Sequence, residues 1–120
     1  MPVNHVTEQS FSMNVLQAKR TVLVAFWAPW CVACRQSAPI LEQLAVEHAG
    51  VLEVVKVNVD EEPALAAQHG VAALPSFTVY TGGSQRCSWL GAAPKTAMEQ
   101  TLAECLNGYT SIPAPRPPLP

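Results

Sequence analysis

Two cysteines, Cys31 and Cys34, stand in the stretch FWAPWCVACR, after an apolar run and before residues of helical periodicity. Thiols at this spacing suit three roles: metal ligands, packed core thiols, or a dithiol that opens and closes as a disulfide. A structural zinc site needs four ligands, and no second C-x-x-C or H-x-x-x-H accompanies the pair. Cys87 and Cys105 are solitary, and His5, His48 and His69 lie far apart along the chain. No metal is expected. Core thiols fit poorly beside Pro29, Trp30 and Arg35 at a strand-to-helix junction. The dithiol reading has a mechanism. At a helix N-terminus the unpaired N–H groups and the positive end of the dipole stabilise a thiolate, so Cys31 should ionise more readily than a free cysteine. Cys34, one turn further in, is close enough to close a disulfide with it.

The flanking segments supply the elements that position this pair. Val22 to Trp27 is a continuous apolar run without a helical stripe, which predicts a central strand covered on both faces. From Cys34, Ala38, Leu41, Leu44, Ala45 and His48 recur at helical spacing, so a helix runs from about Cys31 to His48, with Gly50 as its stop. Pro39 inside it predicts a kink. Leu52 to Asp60 alternates, with Leu52, Val54, Lys56 and Asn58 on one side and Val55, Val57 and Val59 on the other, and reads as a second buried strand. A short helix from Pro63 to His69 ends at Gly70. Ser76–Thr81 and Gln85–Leu90 form a hairpin around Gly82 and Gly83. A final helix opens at Pro94 and carries Met98, Leu102, Cys105 and Leu106 on one stripe. A weak strand near Asn4–Thr7 and a short helix near Phe11–Ala18 begin the chain. This alternation predicts an α/β domain, a mixed sheet with helices on both faces.

Composition narrows the classes further. The 120 residues suit one domain, 49 % are hydrophobic and 13 % charged, so a core is affordable and general disorder is not expected. Seven basic residues against nine acidic ones give a net charge of -2 without a basic patch, which argues against nucleic acid and anionic membranes. No apolar run reaches the roughly 20 residues of a spanning helix. The start, MPVNHVTEQS, does not resemble a secretory signal, so the expected location is the cytoplasm. The proline-rich end, SIPAPRPPLP, reads as an extended passive tail, although its PxxP spacings also suit an aromatic groove.

Together, FWAPWCVAC, APILEQLA, VVKVNVDEEPALAAQHGV, LPSFTVYTGG and LGA resemble a thioredoxin from about Val6 to Leu106, with the elements in the family's order. The resemblance implies a thioredoxin fold over residues 1–108, a central mixed sheet of about five strands flanked by about four helices, with 109–120 as the tail. It implies a protein thiol–disulfide oxidoreductase, foremost a disulfide reductase, in which Cys31 attacks and Cys34 resolves. Pro75 matches the family's cis-proline, and with Ala73 and Leu74 it offers backbone to an extended substrate segment. Local sequence alone favours an ordinary trans proline at that strand start. Trp30 and Gly91 match the residues at the rim of the site. No cofactor is implied; the partners are protein disulfides and a thioredoxin reductase as electron donor, and the chain is expected to be a monomer.

Four positions tune this expectation. Val32 and Ala33 stand where the family commonly has Gly-Pro, which predicts a less reducing couple. Ala25 replaces the family's buried Asp, thought to help deprotonate the resolving thiol, and Lys56 has lost that partner. Cys87 and Cys105 are expected as core or semi-buried thiols rather than regulatory ones. Two other functions stay open: a disulfide oxidase or isomerase, and a redox-weak module that binds partners through the Trp30 and Pro75 surface.

Overall fold

The computed structural model describes residues 3–106. The proline-rich tail expected at 109–120 lies outside that range. Five strands, β1 (Val3–His5), β2 (Thr21–Trp27), β3 (Leu52–Asn58), β4 (Ser76–Thr81) and β5 (Ser84–Leu90), form one sheet in the order β1-β3-β2-β4-β5. β3 pairs in parallel with both β1 and β2, while β4 runs antiparallel to β2 and β5 antiparallel to β4. The sheet is therefore mixed, and β2 occupies its centre. Three α-helices, α1 (Val32–Glu47), α2 (Pro63–Gln68) and α3 (Lys95–Leu106), and a π-helical turn at Ser12–Leu16 cover it.

The unbroken apolar run of β2 is explained by two cores. Leu23 and Ala25 face α1 and α3, packed with Leu41, Leu44, Val54, Phe77, Met98 and Leu102. Val22, Val24 and Phe26 face the other way, packed with Phe11, Val15, Val55, Val57 and Leu65. Every residue from Val22 to Phe26 is at most 2 % exposed, and each large side chain so buried contributes about 1.5–3 kcal/mol. That burial keeps the end of β2, where the dithiol follows, in one place.

On the second face His69 and Tyr80 form a polar contact inside an aromatic cluster. His69 Nδ1 lies 3.0 Å from the Leu65 carbonyl and Nε2 lies 2.7 Å from the Tyr80 hydroxyl. A carbonyl only accepts, so Nδ1 carries the proton and, in the neutral ring, Nε2 accepts from Tyr80. Phe11 and Phe26 pack against the imidazole at 5.1 and 4.9 Å. Burial pushes the Tyr80 hydroxyl pKa above its ordinary value.

Several sequence expectations shift by small amounts. The short helix near Phe11–Ala18 is a π-helical turn, and β1 begins one residue earlier than expected. Leu106, placed on the apolar stripe of α3, is 40 % exposed, whereas Met98, Leu102 and Cys105 are buried. The hairpin carries an irregularity at Val79/Tyr80, which sets Cys87 opposite Val79 but Gln85 opposite Tyr80. Strict alternation would set Gln85 on the side of Cys87 and Trp89, but a bulge adds one residue to the strand and turns Gln85 to the other side. Gly83 has φ +83°, and a Cβ there would stand 2.5 Å from the Leu16 carbonyl oxygen, so the hairpin tip admits glycine alone. No helix among the described residues is long and apolar enough to cross a membrane.

Candidate active site

The site forms where β2 ends and α1 begins. Ala28, fully buried, accepts the Cys31 N–H on its carbonyl at 3.1 Å, which turns the chain out of the sheet. Cys31 is the N-cap of α1, with extended backbone (φ -90°, ψ 111°). Its sulfur accepts the Cys34 N–H at 3.1 Å and so takes the place of a capping oxygen. A sulfur in that position faces the unpaired amides and the positive end of the helix dipole. The local sequence that permits this is short: Pro29 and Trp30 form the turn, and Val32 starts a helix with no acidic residue in its first turn.

Cys31 and Cys34 are joined as a disulfide, with their Cα atoms 5.2 Å apart. Their sulfurs rest in an apolar seat made by Ala28, Trp27, Val59 and Leu74. Cys31 keeps 8 % of its surface exposed against 4 % for Cys34. An incoming group therefore meets Cys31 first. Arg35, next to the dithiol, is turned away and donates from a guanidinium N–H to the Pro29 carbonyl at 2.7 Å.

The residues expected at the rim come from three segments, the turn into α1, the loop before β4 and the residue after β5. The Leu74-Pro75 bond is cis, as the family resemblance implies and contrary to the local expectation of a trans bond. Pro75 is buried, Ala73 exposed and Leu74 half-buried against the dithiol. Gly91, with φ +93°, donates its N–H to the Pro75 carbonyl at 2.8 Å and so fastens the end of β5 to the start of β4. Trp30 is 65 % exposed and Val32 58 %, an apolar shoulder beside the sulfurs. Ala33 packs inward against the dithiol.

Asp60, which no motif in the sequence marks, holds Trp30 in place. Its carboxylate accepts from the Trp30 indole N–H, at 3.0 Å to one oxygen and 3.3 Å to the other. The Asp60 N–H is in turn held by the Asn58 side chain at 2.9 Å. An acidic residue directly after a strand is ordinary turn chemistry, so the only available signal was its place at the same sheet end as the cysteines.

Behind the site, Ala25 and Lys56 are register partners in β2 and β3. Ala25 is 2 % exposed and lies in the core with Phe77 and Val54, and its methyl group offers no carboxylate to Lys56. The Lys56 ammonium lies 4.4 Å from the centroid of the Trp27 ring, a cation–π contact. Burial lowers the Lys56 pKa, and the nearby charge of Glu42 opposes that shift. The Trp27 indole N–H is buried without a hydrogen-bond partner among the described residues.

The remaining cysteines correct an expectation. Cys87 and Cys105 are semi-buried and buried, but they are not free thiols: they form a second disulfide between β5 and α3. Nothing in their spacing discloses this, because only the packing of α3 on the sheet brings them together.

A mixed five-stranded sheet with a buried dithiol at the N-terminus of its first long helix, packed against the Leu74 of a cis Leu74-Pro75 pair, defines a thioredoxin-fold thiol–disulfide oxidoreductase. The thioredoxin family profile matches residues 2–104, and the chain belongs to the thioredoxin family. It is 43 % identical over 101 residues to thioredoxin 1 of Nostoc sp., covering 84 % of this chain and 94 % of that protein. It is 46 % identical over 96 residues to the thioredoxin of Streptomyces clavuligerus, covering 80 % and 89 % of the two chains. With the thioredoxin of Pyropia yezoensis it shares 39 % identity over 111 residues, 92 % of this chain and all of that one.

Proposed function

We propose that the chain reduces disulfides in extended segments of other proteins, with Cys31 as nucleophile and Cys34 as resolving thiol. The observation that supports this reading best is the Cys31 sulfur at the N-cap of α1, accepting the Cys34 N–H, with Cys34 in bonding position behind it. In the reduced protein the Cys31 thiolate attacks one sulfur of the substrate disulfide, and the other sulfur leaves as a thiolate that takes up a proton. Cys34 then loses its proton and attacks the Cys31 sulfur, which expels the second substrate sulfur. Two electrons have passed to the substrate, and Cys31–Cys34 is left oxidised.

Substrate backbone pairs along Ala73, Leu74 and Pro75, while Trp30 and Gly91 bound the groove. Val32 and Ala33 set the rigidity of the dithiol turn, and Ala25 with Lys56 sets the proton supply to Cys34. A thioredoxin reductase returns the two electrons, and the chain works as a monomer. Reduction of insulin by dithiothreitol tests the assignment. Cys31→Ser is expected to abolish the catalysed rate, and an undiminished rate in that variant rejects the reading.

A further inference from the structure

The second cysteine pair takes no part in the chemistry above. Cys87 lies in β5 opposite Val79, and Cys105 lies in the last turn of α3 on its buried face. Their disulfide joins residues 18 apart in sequence, with Cα atoms 6.2 Å apart. The ring so closed contains Leu90 and Gly91, and the Gly91 N–H holds the Pro75 carbonyl.

We propose that Cys87–Cys105 is a slowly exchanging structural disulfide that staples α3 to β5 and stays closed while Cys31–Cys34 opens and closes. Exchange requires a thiolate to attack one sulfur while the other leaves as a thiolate, and a leaving thiol of higher pKa leaves more slowly. Cys105 is 4 % exposed in the core formed with Met98, Leu102 and Phe77. Attack is therefore directed to the half-buried Cys87, and Cys105 has to leave. A thiolate on Cys105 is disfavoured twice, by its apolar surroundings and by its position in the last turn of α3, at the negative end of the dipole.

Burial alone does not separate the two disulfides, since Cys34 is also 4 % exposed. The helix pole does. Cys34 leaves from the first turn of α1, where the dipole is positive. Dipole contributions of opposite sign at the two leaving sulfurs separate the reduction rates by about tenfold.

The staple forms by the same chemistry. The Cys87 thiolate attacks a low-molecular-weight disulfide such as oxidised glutathione, releasing one thiol, and Cys105 then attacks the Cys87 sulfur and releases the other. Two electrons pass to the reagent. Closing a ring of this length in the unfolded chain shifts the unfolding equilibrium about 200-fold towards the folded state.

The test uses the full oxidised chain. It is treated with limiting dithiothreitol at neutral pH, quenched with iodoacetamide at intervals, and mapped by mass spectrometry. Cys31 and Cys34 are expected to be alkylated first, with Cys87 and Cys105 at least about tenfold slower and a peptide pair linked through them surviving. Equal rates, or free thiols at Cys87 and Cys105 in the oxidised chain, overturn the proposal. In urea, the Cys87→Ala/Cys105→Ala variant is expected to unfold about 200-fold more readily than the oxidised parent while still reducing insulin. An unchanged unfolding equilibrium refutes the staple. The alkylation order needs only the parent chain, so it decides the matter even where the double variant does not fold.

Discussion

Ala25→Asp introduces a carboxyl group into the core opposite Lys56, and its consequences for stability and for turnover can be worked out separately. The position is 2 % exposed, opposite Lys56 on β3 and Phe77 on β4. Burying a carboxylate costs several kcal/mol. Attraction to the Lys56 ammonium returns about 4 kcal/mol at a 4 Å separation and an effective dielectric constant of 20. The net expectation is a loss of about 1–3 kcal/mol at neutral pH. Because burial raises the pKa of the new carboxyl in the folded state, the folded chain binds more protons than the unfolded one above the unfolded carboxyl pKa. The loss therefore deepens as pH rises, by about 1.4 kcal/mol for each unit of displacement. Urea unfolding at pH 5 and pH 8 reads this directly. The same carboxylate offers Cys34 a proton acceptor, so single-turnover release of the reduced product is expected to quicken by about tenfold or more. A variant equally destabilised at both pH values refutes the electrostatic argument, and unchanged product release refutes the claim that the missing acid slows resolution.

Other perturbations follow from the same structure. Lys56→Met removes a group whose pKa burial lowers; since the unfolded chain then binds more protons just below the ordinary lysine value, the parent gains stability as pH rises through that alkaline window. The Met variant is expected to lose this gain, and parallel urea midpoints from pH 8 to pH 10 in both proteins argue against it. Tyr80→Phe deprives His69 Nε2 of its 2.7 Å partner inside the aromatic cluster. A loss of about 1–3 kcal/mol in urea unfolding is expected, and a neutral effect means the imidazole finds another partner. Asp60→Ala frees the exposed Trp30 indole, which should cost under about 1 kcal/mol of stability yet raise the KM for insulin several-fold. An unchanged KM removes Asp60 from the site.

How much of this was legible in the sequence depends on whether the cause was local. The apolar run of β2, the helical stripe of α1 and the position of Cys31 at their junction follow from residue type and spacing, and the structure has them at Thr21–Trp27, Val32–Glu47 and the N-cap. The cis state of Leu74-Pro75 came only through family resemblance, because a proline opening a strand carries no local mark of it. Three features were hidden for tertiary reasons. The Cys87–Cys105 bond exists because α3 folds back over β5. The bulge that moves Gln85 depends on how two strands register. Asp60 reaches Trp30 only when the loop after β3 comes to rest beside it.

The central claim is that one sulfur is held ionised and reachable at the start of α1. The most direct measurement is the iodoacetamide alkylation rate of Cys31 in the reduced chain as a function of pH, with labelled positions assigned by mass spectrometry. Cys31 is expected to react at neutral pH faster than an unstructured thiol, with Cys34 lagging behind it. If Cys31 reacts no faster than a thiol in a short peptide, or if Cys34 is labelled first, the mechanism derived from this geometry is wrong.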